Sequence, residues 1–230
     1  MAKSKSERLI FEKLALMETV EKELDRQKSN AVVSLTVFLC SMSVWVLAVS
    51  LWEKLDRPFP PHYLTYGVEL IAVFMLIFLW RSTDIEIKNL GVNRRNLKAT
   101  FIRDGAVSLA LILIIALVKH AVRPGEPIFY WTRIHPFYAV TSVLQEFLSR
   151  GFLLTCLMTI YTGKHRSAVA VICSSLIFTT LHLYYGFTFM CGAGVLSLLL
   201  GALYVRDGNI WGVSLIHFVF GTFTTLTGIV

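Results

Sequence analysis

Apolar stretches about twenty residues long recur along most of this chain, and that one pattern leaves few folds open. Wound as an α-helix at about 1.5 Å per residue, such a run matches a hydrocarbon core of roughly 30 Å. Lipid offers the backbone no hydrogen-bond partners, so a spanning segment must be a helix or a strand of a closed barrel. The alternating pattern of barrel strands is missing. The expectation is therefore an all-α, polytopic transmembrane helical bundle. Composition agrees: 55% of the 230 residues are hydrophobic and 16% are charged, where soluble domains carry about 25% charged residues.

Seven spans are predicted, roughly 31–52, 63–81, 104–122, 136–160, 167–185, 187–205 and 209–230. Pro58, Pro60 and Pro61 stop the chain between the first two, because proline breaks a helix interior. Pro124 and Gly125 open a loop over 123–135, Gly186 marks a tight turn, and Arg206-Asp207-Gly208 joins the last two spans. Residues 1–30 are too charged for a signal peptide, and the run from Ala31 to Leu51 is followed by no cleavage site, so it is expected to stay as a first span. The 1–30 segment reads as a short cytoplasmic amphipathic helix, with Ile10, Leu14, Met17 and Leu24 on one stripe. Such a helix either lies on the membrane surface or meets a protein partner as a short coiled coil. The organisation expected is that helix, accessory transmembrane helices over 31–135, and a functional core over 136–230.

The net charge of +7 would suit nucleic acid, but its distribution points elsewhere. Sixteen Lys and Arg fall on the side of the amino terminus and five on the other. That asymmetry is a topology signal, placing the amino terminus in the cytoplasm and, after an odd number of spans, the carboxyl terminus outside. The partner is the lipid bilayer; no nucleic acid is expected. Trp45, Trp52, Trp80, Trp131 and Trp211 mostly lie near span ends, as an aromatic belt does. Cys40, Cys156, Cys173 and Cys191 all fall in spans without CxxC spacing, and are expected to be buried free thiols. His62, His120 and His135 gather near the outer face at spacings too irregular for a metal site.

An ionised side chain at the centre of a span costs about 2.5–3.5 kcal/mol even on a lenient scale, so such residues are expected to have partners or functions. Glu146 and Arg150 sit mid-span, and i,i+4 spacing puts them on one helical face. On that observation alone a structural ion pair is as good an account as a catalytic one. His182 in the fifth span and His217 in the seventh add two imidazoles. All these groups must face one interior, and a carboxylate beside imidazoles in a dry cavity is equipment for polarising water. Glu69 reads as an interhelical polar contact, and Ala193, Ser197 and Gly201 as a close-packing stripe rather than a site.

The runs Gln145-Glu146-Phe147-Leu148-Ser149-Arg150-Gly151, Phe178 to His182, and Gly208-Asn209-Ile210-Trp211 followed by His217 resemble the CPBP family. These are the CAAX-processing and bacteriocin-processing (Abi) intramembrane endopeptidases. Their motifs Glu-Glu-x-x-x-Arg, Phe-x-x-x-His and His-x-x-x-Asn (or Asp) correspond to 145–150, 178–182 and 217–221, and the likeness covers about 139–225. It implies hydrolysis of a peptide or membrane-anchored protein, in a bacterial cell membrane, by a Glu/His-activated water. Glu146 and Arg150 would form the central pair, His182 would help activate water, His217 would bind the oxyanion, and Gln145 would position water or substrate. The resemblance leaves metal dependence open: no cofactor is assigned, and a divalent metal, if present, would fall to Glu146, His182 and His217.

Two positions depart from that pattern: Gln145 replaces the first glutamate and Gly221 the final asparagine. A glutamine amide has no basicity at neutral pH, and glycine has no side chain to donate. Glu146 taking over as base, His182 acting as base with Gln145 holding water, and a catalytically degenerate scaffold or regulator all remain open. A small-molecule transporter fits less well, because internal repeats are missing.

Overall fold

The computed structural model describes residues 5–55, 61–131 and 137–228. Among these residues every regular element is helical and there is no strand. The seven longer helices are α1 (Lys5–Glu53), α2 (Pro61–Ser82), α3 (Leu97–Val122), α4 (Tyr138–Ile160), α5 (Arg166–Thr180), α6 (Phe187–Asp207) and α7 (Trp211–Thr227). Four are long and apolar enough to cross a membrane: Phe11–Glu53 within α1, then α3, α4 and α6, while α5 and α7 are shorter apolar helices. Of the groups weighed in the sequence, Pro58, Pro60 and His135 and the side chains of Ile10 and His62 lie outside the described residues.

Helix α4 is the hub. It packs against α1, α2, α5, α6 and α7, while α3 lies along α7 and α5 along α6. Its middle segment, Phe147–Leu154, is π-helical, and all eight residues there are buried. Phe147, Leu148, Phe152, Leu153 and Leu154 join Phe38, Met75, Leu79, Leu200 and Ile216 in one core. Gly151 is required by a close approach: a Cβ there would lie 2.5 Å from the carbonyl oxygen of Leu90.

Several expectations change. The amino-terminal helix is not a separate unit, because α1 runs unbroken for 49 residues through position 30. Ser29 and Asn30 are weak helix formers but neither stops a helix as proline would. Leu14, Met17 and Leu24 of the apolar stripe are exposed. The fifth predicted span is too long: α5 stops at Thr180, about 22 Å of helix, and a 3₁₀ turn over Leu183–Tyr185 leads to Gly186 at φ 97°. Only Cys156 of the four free cysteines is buried; Cys40 and Cys191 are exposed. A thiol behaves as a small hydrophobe, so burial is not obligatory for it on a lipid-facing surface.

The Asn209 turn positions α7 through a set of backbone contacts. Asn209 donates to the Arg95 carbonyl at 3.0 Å, the Trp211 indole N–H to the Asn93 carbonyl at 2.9 Å, and the Ile210 N–H to the Gly91 carbonyl at 3.0 Å. The Gly-Asn-Ile-Trp run is thus a docking clamp that sets the register of α7 and, with it, His217. At the same end of the bundle Arg103 bridges Asp104 at 2.6 Å and Asp207 at 2.5 Å.

Candidate active site

Glu146 closes the α-helical first part of α4 and Arg150 lies in its π segment. Both are essentially inaccessible, at 0% and 1% exposure. Arg150 Nη1 donates to Glu146 Oε1 at 2.8 Å, so the i,i+4 pair expected from the sequence forms. The second guanidinium nitrogen crosses to α6 and donates to the Ser197 hydroxyl at 2.7 Å and its carbonyl at 3.0 Å. The guanidinium carbon stands 4.8 Å from the centroid of the Phe178 ring, within range of a cation–π contact. Arg150 therefore ties α4 to α5 and α6.

His217 on α7 brings its Nδ1 to 2.7 Å from the same Oε1 of Glu146. A carboxylate only accepts, so Nδ1 carries the proton and Nε2 is presented to the cavity. Glu146 is thereby committed twice through Oε1, whereas its Oε2 has no hydrogen-bond partner among the described residues. Glu69 of α2 accepts a hydrogen bond from the Thr141 hydroxyl of α4, an interhelical contact apart from this cluster.

His182 stands beyond the end of α5, not within a span. Its Nδ1 lies 2.7 Å from the Phe178 carbonyl. A carbonyl also only accepts, so Nδ1–H is the donor and Nε2 is left with its lone pair. The ring is fixed between Phe178, with centroids 4.4 Å apart, and Phe189, at 5.8 Å in stacked geometry. Phe178 meets the His217 ring edge-on at 5.8 Å.

Phe178 and His182 form a wall between two cavities. One, of about 60 Å³, is lined by Gln145, Ser149, Phe178, His182 and Tyr185, with Met42 of α1 among the apolar residues. The other, of about 120 Å³, is lined by His182, His217, Tyr138, Gly221 and Thr224 among others. The five residues singled out in the sequence thus separate by role. Glu146, Arg150 and His217 form one bonded cluster; Gln145 and His182 face a shared cavity; and His182 and His217 face a second. Gln145 and Glu146 do not share a cavity, because the turn between consecutive residues points them apart.

Among the described residues no group of three His, Cys, Asp or Glu side chains is arranged to hold a metal ion. Glu146, His182 and His217 do not form such a set: the carboxylate is engaged by Arg150 and His217, and His182 lies across the Phe178 ring. Two members of the site were not anticipated. Ser197, read as a packing position, accepts from Arg150 through both its oxygens. Tyr138 places its ring edge-on to His217 at 6.1 Å. Nothing in their spacing marked either; a polar residue within a small-residue stripe was the one available hint for Ser197.

Residues 127–223 match the family model described as type II CAAX prenyl endopeptidase Rce1-like. That stretch contains all three motifs and bears out the CPBP resemblance for this part of the chain. No curated protein and no solved structure shows a significant match.

Proposed function

We propose that this chain, of the CAAX-endopeptidase type over residues 127–223, is an intramembrane endopeptidase that hydrolyses a peptide or membrane-anchored protein with a histidine-activated water. The observation that carries the reading is the tautomer of His182. Its Nδ1–H is held by the Phe178 carbonyl, so Nε2 faces outward as a base, and the Gln145 amide lines the same cavity. Glutamine both donates and accepts, so Gln145 orients the water that His182 deprotonates. Glu146 is read as structural and not as the base: Arg150 and His217 occupy Oε1, and although Oε2 has no partner among the described residues, the side chain is fully buried and lines neither cavity. It holds the guanidinium and fixes the His217 ring, whose Nε2 is directed at the scissile carbonyl as a donor when the ring is protonated.

The seven helices, α2, α5 and α7 included, are read as seven membrane crossings, with the amino terminus in the cytoplasm as the sixteen-to-five asymmetry of basic residues supports. The CAAX part of the family description is not carried over as a substrate.

The second reading, a non-catalytic scaffold or regulator, rests on Gln145, which supplies no carboxylate beside His182. Purified protein incubated with a peptide library separates the two. Expected are cleavage by the native chain, its loss in His182→Ala, and a rise of about 10²-fold in Gln145→Glu, within the range positioned general bases contribute. Cleavage absent from the native chain, or unchanged in His182→Ala, refutes the endopeptidase reading. Cleavage that appears only in Gln145→Glu supports the scaffold.

A further inference from the structure

The position at which α7 lacks a side chain is not empty space. A Cβ at Gly221 would lie 2.0 Å from the Tyr138 hydroxyl oxygen and 2.5 Å from Cε1 and Cζ of the same ring. Real Cβ contacts do not come so close, so the phenol of Tyr138 occupies the volume in which any side chain at 221 would begin. Tyr138 and Gly221 line the cavity of about 120 Å³ that His182 and His217 also line. The first turn of α4 thus delivers to this chamber a hydroxyl that α7 makes room for by carrying glycine.

The chamber's other hydroxyls are those of Thr188 and Thr224. The Thr224 hydroxyl is turned back onto its own helix, donating to the Phe220 carbonyl at 2.8 Å. His182 keeps Nδ1–H on the Phe178 carbonyl, and its Nε2 is the proton acceptor. A phenol O–H is a better hydrogen-bond donor than an aliphatic hydroxyl, and like it can also accept. The Tyr138 hydroxyl also meets Ser142, one turn further along α4. The Ser142 hydroxyl spends its own proton on the Tyr138 backbone carbonyl at 2.8 Å, so the phenol O–H is the donor where the two side chains meet, and it turns from Ser142 to the oxyanion when substrate is bound.

We propose that Tyr138 is a catalytic residue that binds the oxyanion together with His217, an inference resting on the endopeptidase reading above. The peptide carbonyl lies at the edge of His182, which lines both cavities; the water on the Gln145 side bonds to its carbon, and the water proton passes to His182 Nε2. The carbonyl π pair moves onto oxygen, where the Tyr138 O–H and the His217 Nε2–H donate to it. On collapse that pair re-forms the carbonyl, the C–N bond breaks, and the proton on His182 goes to the departing amine. Glycine at 221 is then a requirement of this geometry and not a lost function.

The test uses the full chain in detergent, as native protein and as Tyr138→Phe, which keeps the ring and removes the hydroxyl. Two readouts are taken: kcat and KM on a library-selected peptide, and retention of a peptide library whose central amide is replaced by a phosphinate, a tetrahedral anion. Expected are a fall in kcat of about 10²–10³-fold, the usual effect of deleting one oxyanion donor, with unchanged KM and melting temperature, and lost phosphinate retention. Equal phosphinate retention by the two proteins overturns the assignment whatever happens to cleavage. Tyr138-dependent retention by a native chain that cuts nothing keeps Tyr138 as the anion donor and refutes the endopeptidase reading instead. Should Tyr138→Phe melt early, Gly221→Ala displaces the hydroxyl while leaving it in the chain, and the same losses are expected.

Discussion

Replacing Arg150 with methionine, a side chain of comparable length and no charge, isolates the ion pair at the centre of α4. The change removes the 2.8 Å bond to Glu146 and both bonds to Ser197. Glu146, fully buried, is left with His217 as its one remaining partner among the described residues. Breaking a buried pair from one side costs about 3–5 kcal/mol, most of it for the stranded charge. The orphaned Ser197 oxygens add about 1 kcal/mol or more. At roughly 2–4 °C per kcal/mol for a chain of this size, the melting temperature falls by about 8–24 °C. A double-mutant cycle with Glu146→Gln makes the argument quantitative. With the carboxylate neutralised no charge is stranded, so Arg150→Met in that background costs less by at least about 1.5 kcal/mol, the coupling of residues in one network. Melting of the four proteins in one detergent measures both numbers. A melting point for Arg150→Met within about 2 °C of native, or strictly additive effects, refutes the view that Glu146 and Arg150 form a coupled buried pair.

Two further predictions concern stability. Gly151→Ala places a Cβ 2.5 Å from the Leu90 carbonyl oxygen, and backbone cannot swing away as a side chain would, so a loss of about 1–3 kcal/mol is expected; an unshifted melting curve would show that the 3₁₀ turn over Ile87–Leu90 yields freely. At the end of α3, fully buried Lys119 reaches Glu126 Oε2 at 2.5 Å, and the Lys119 hydrogen bond holds the Glu126 carboxyl below its ordinary value of 4.5. A depressed carboxylate contributes stability that is complete above the unfolded value and lost as pH falls through the folded one. Glu126→Gln should therefore melt earlier than native at pH 7, and the gap should narrow progressively as pH falls below 4.5; a gap independent of pH contradicts the pairing.

The fold class was legible because lipid imposes it: apolar runs of spanning length permit little except helices. The Glu146–Arg150 pair was legible for a local reason, since four residues along a helix make neighbours whatever surrounds them. What lay across helices was not. Ser197 meets Arg150 only through the crossing of α4 with α6, and its hydroxyl is indistinguishable in sequence from a packing serine. Tyr138 sat at a predicted span end, where aromatic residues ordinarily mark the interface, and its approach to Gly221 depends on how α7 docks. Local rules also failed where the backbone departs from α-geometry. No residue type in Phe147–Leu154 announces a π segment, and none in Thr180–Leu181 announces that α5 stops short of His182. The expected break near residue 30 failed for the opposite reason, because a change in polarity does not interrupt a helix.

The unbroken course of α1 has a mechanical consequence. Its 49 residues measure about 74 Å at 1.5 Å each, against a hydrocarbon thickness of roughly 30 Å. More than half of that rod therefore extends past the lipid, as a lever rather than a tether. Its inner segment presents Phe38 and Met42 to the cavity shared by Gln145 and His182. The segment that lines the cavity and the far tip thus belong to one helix, with no hinge between them.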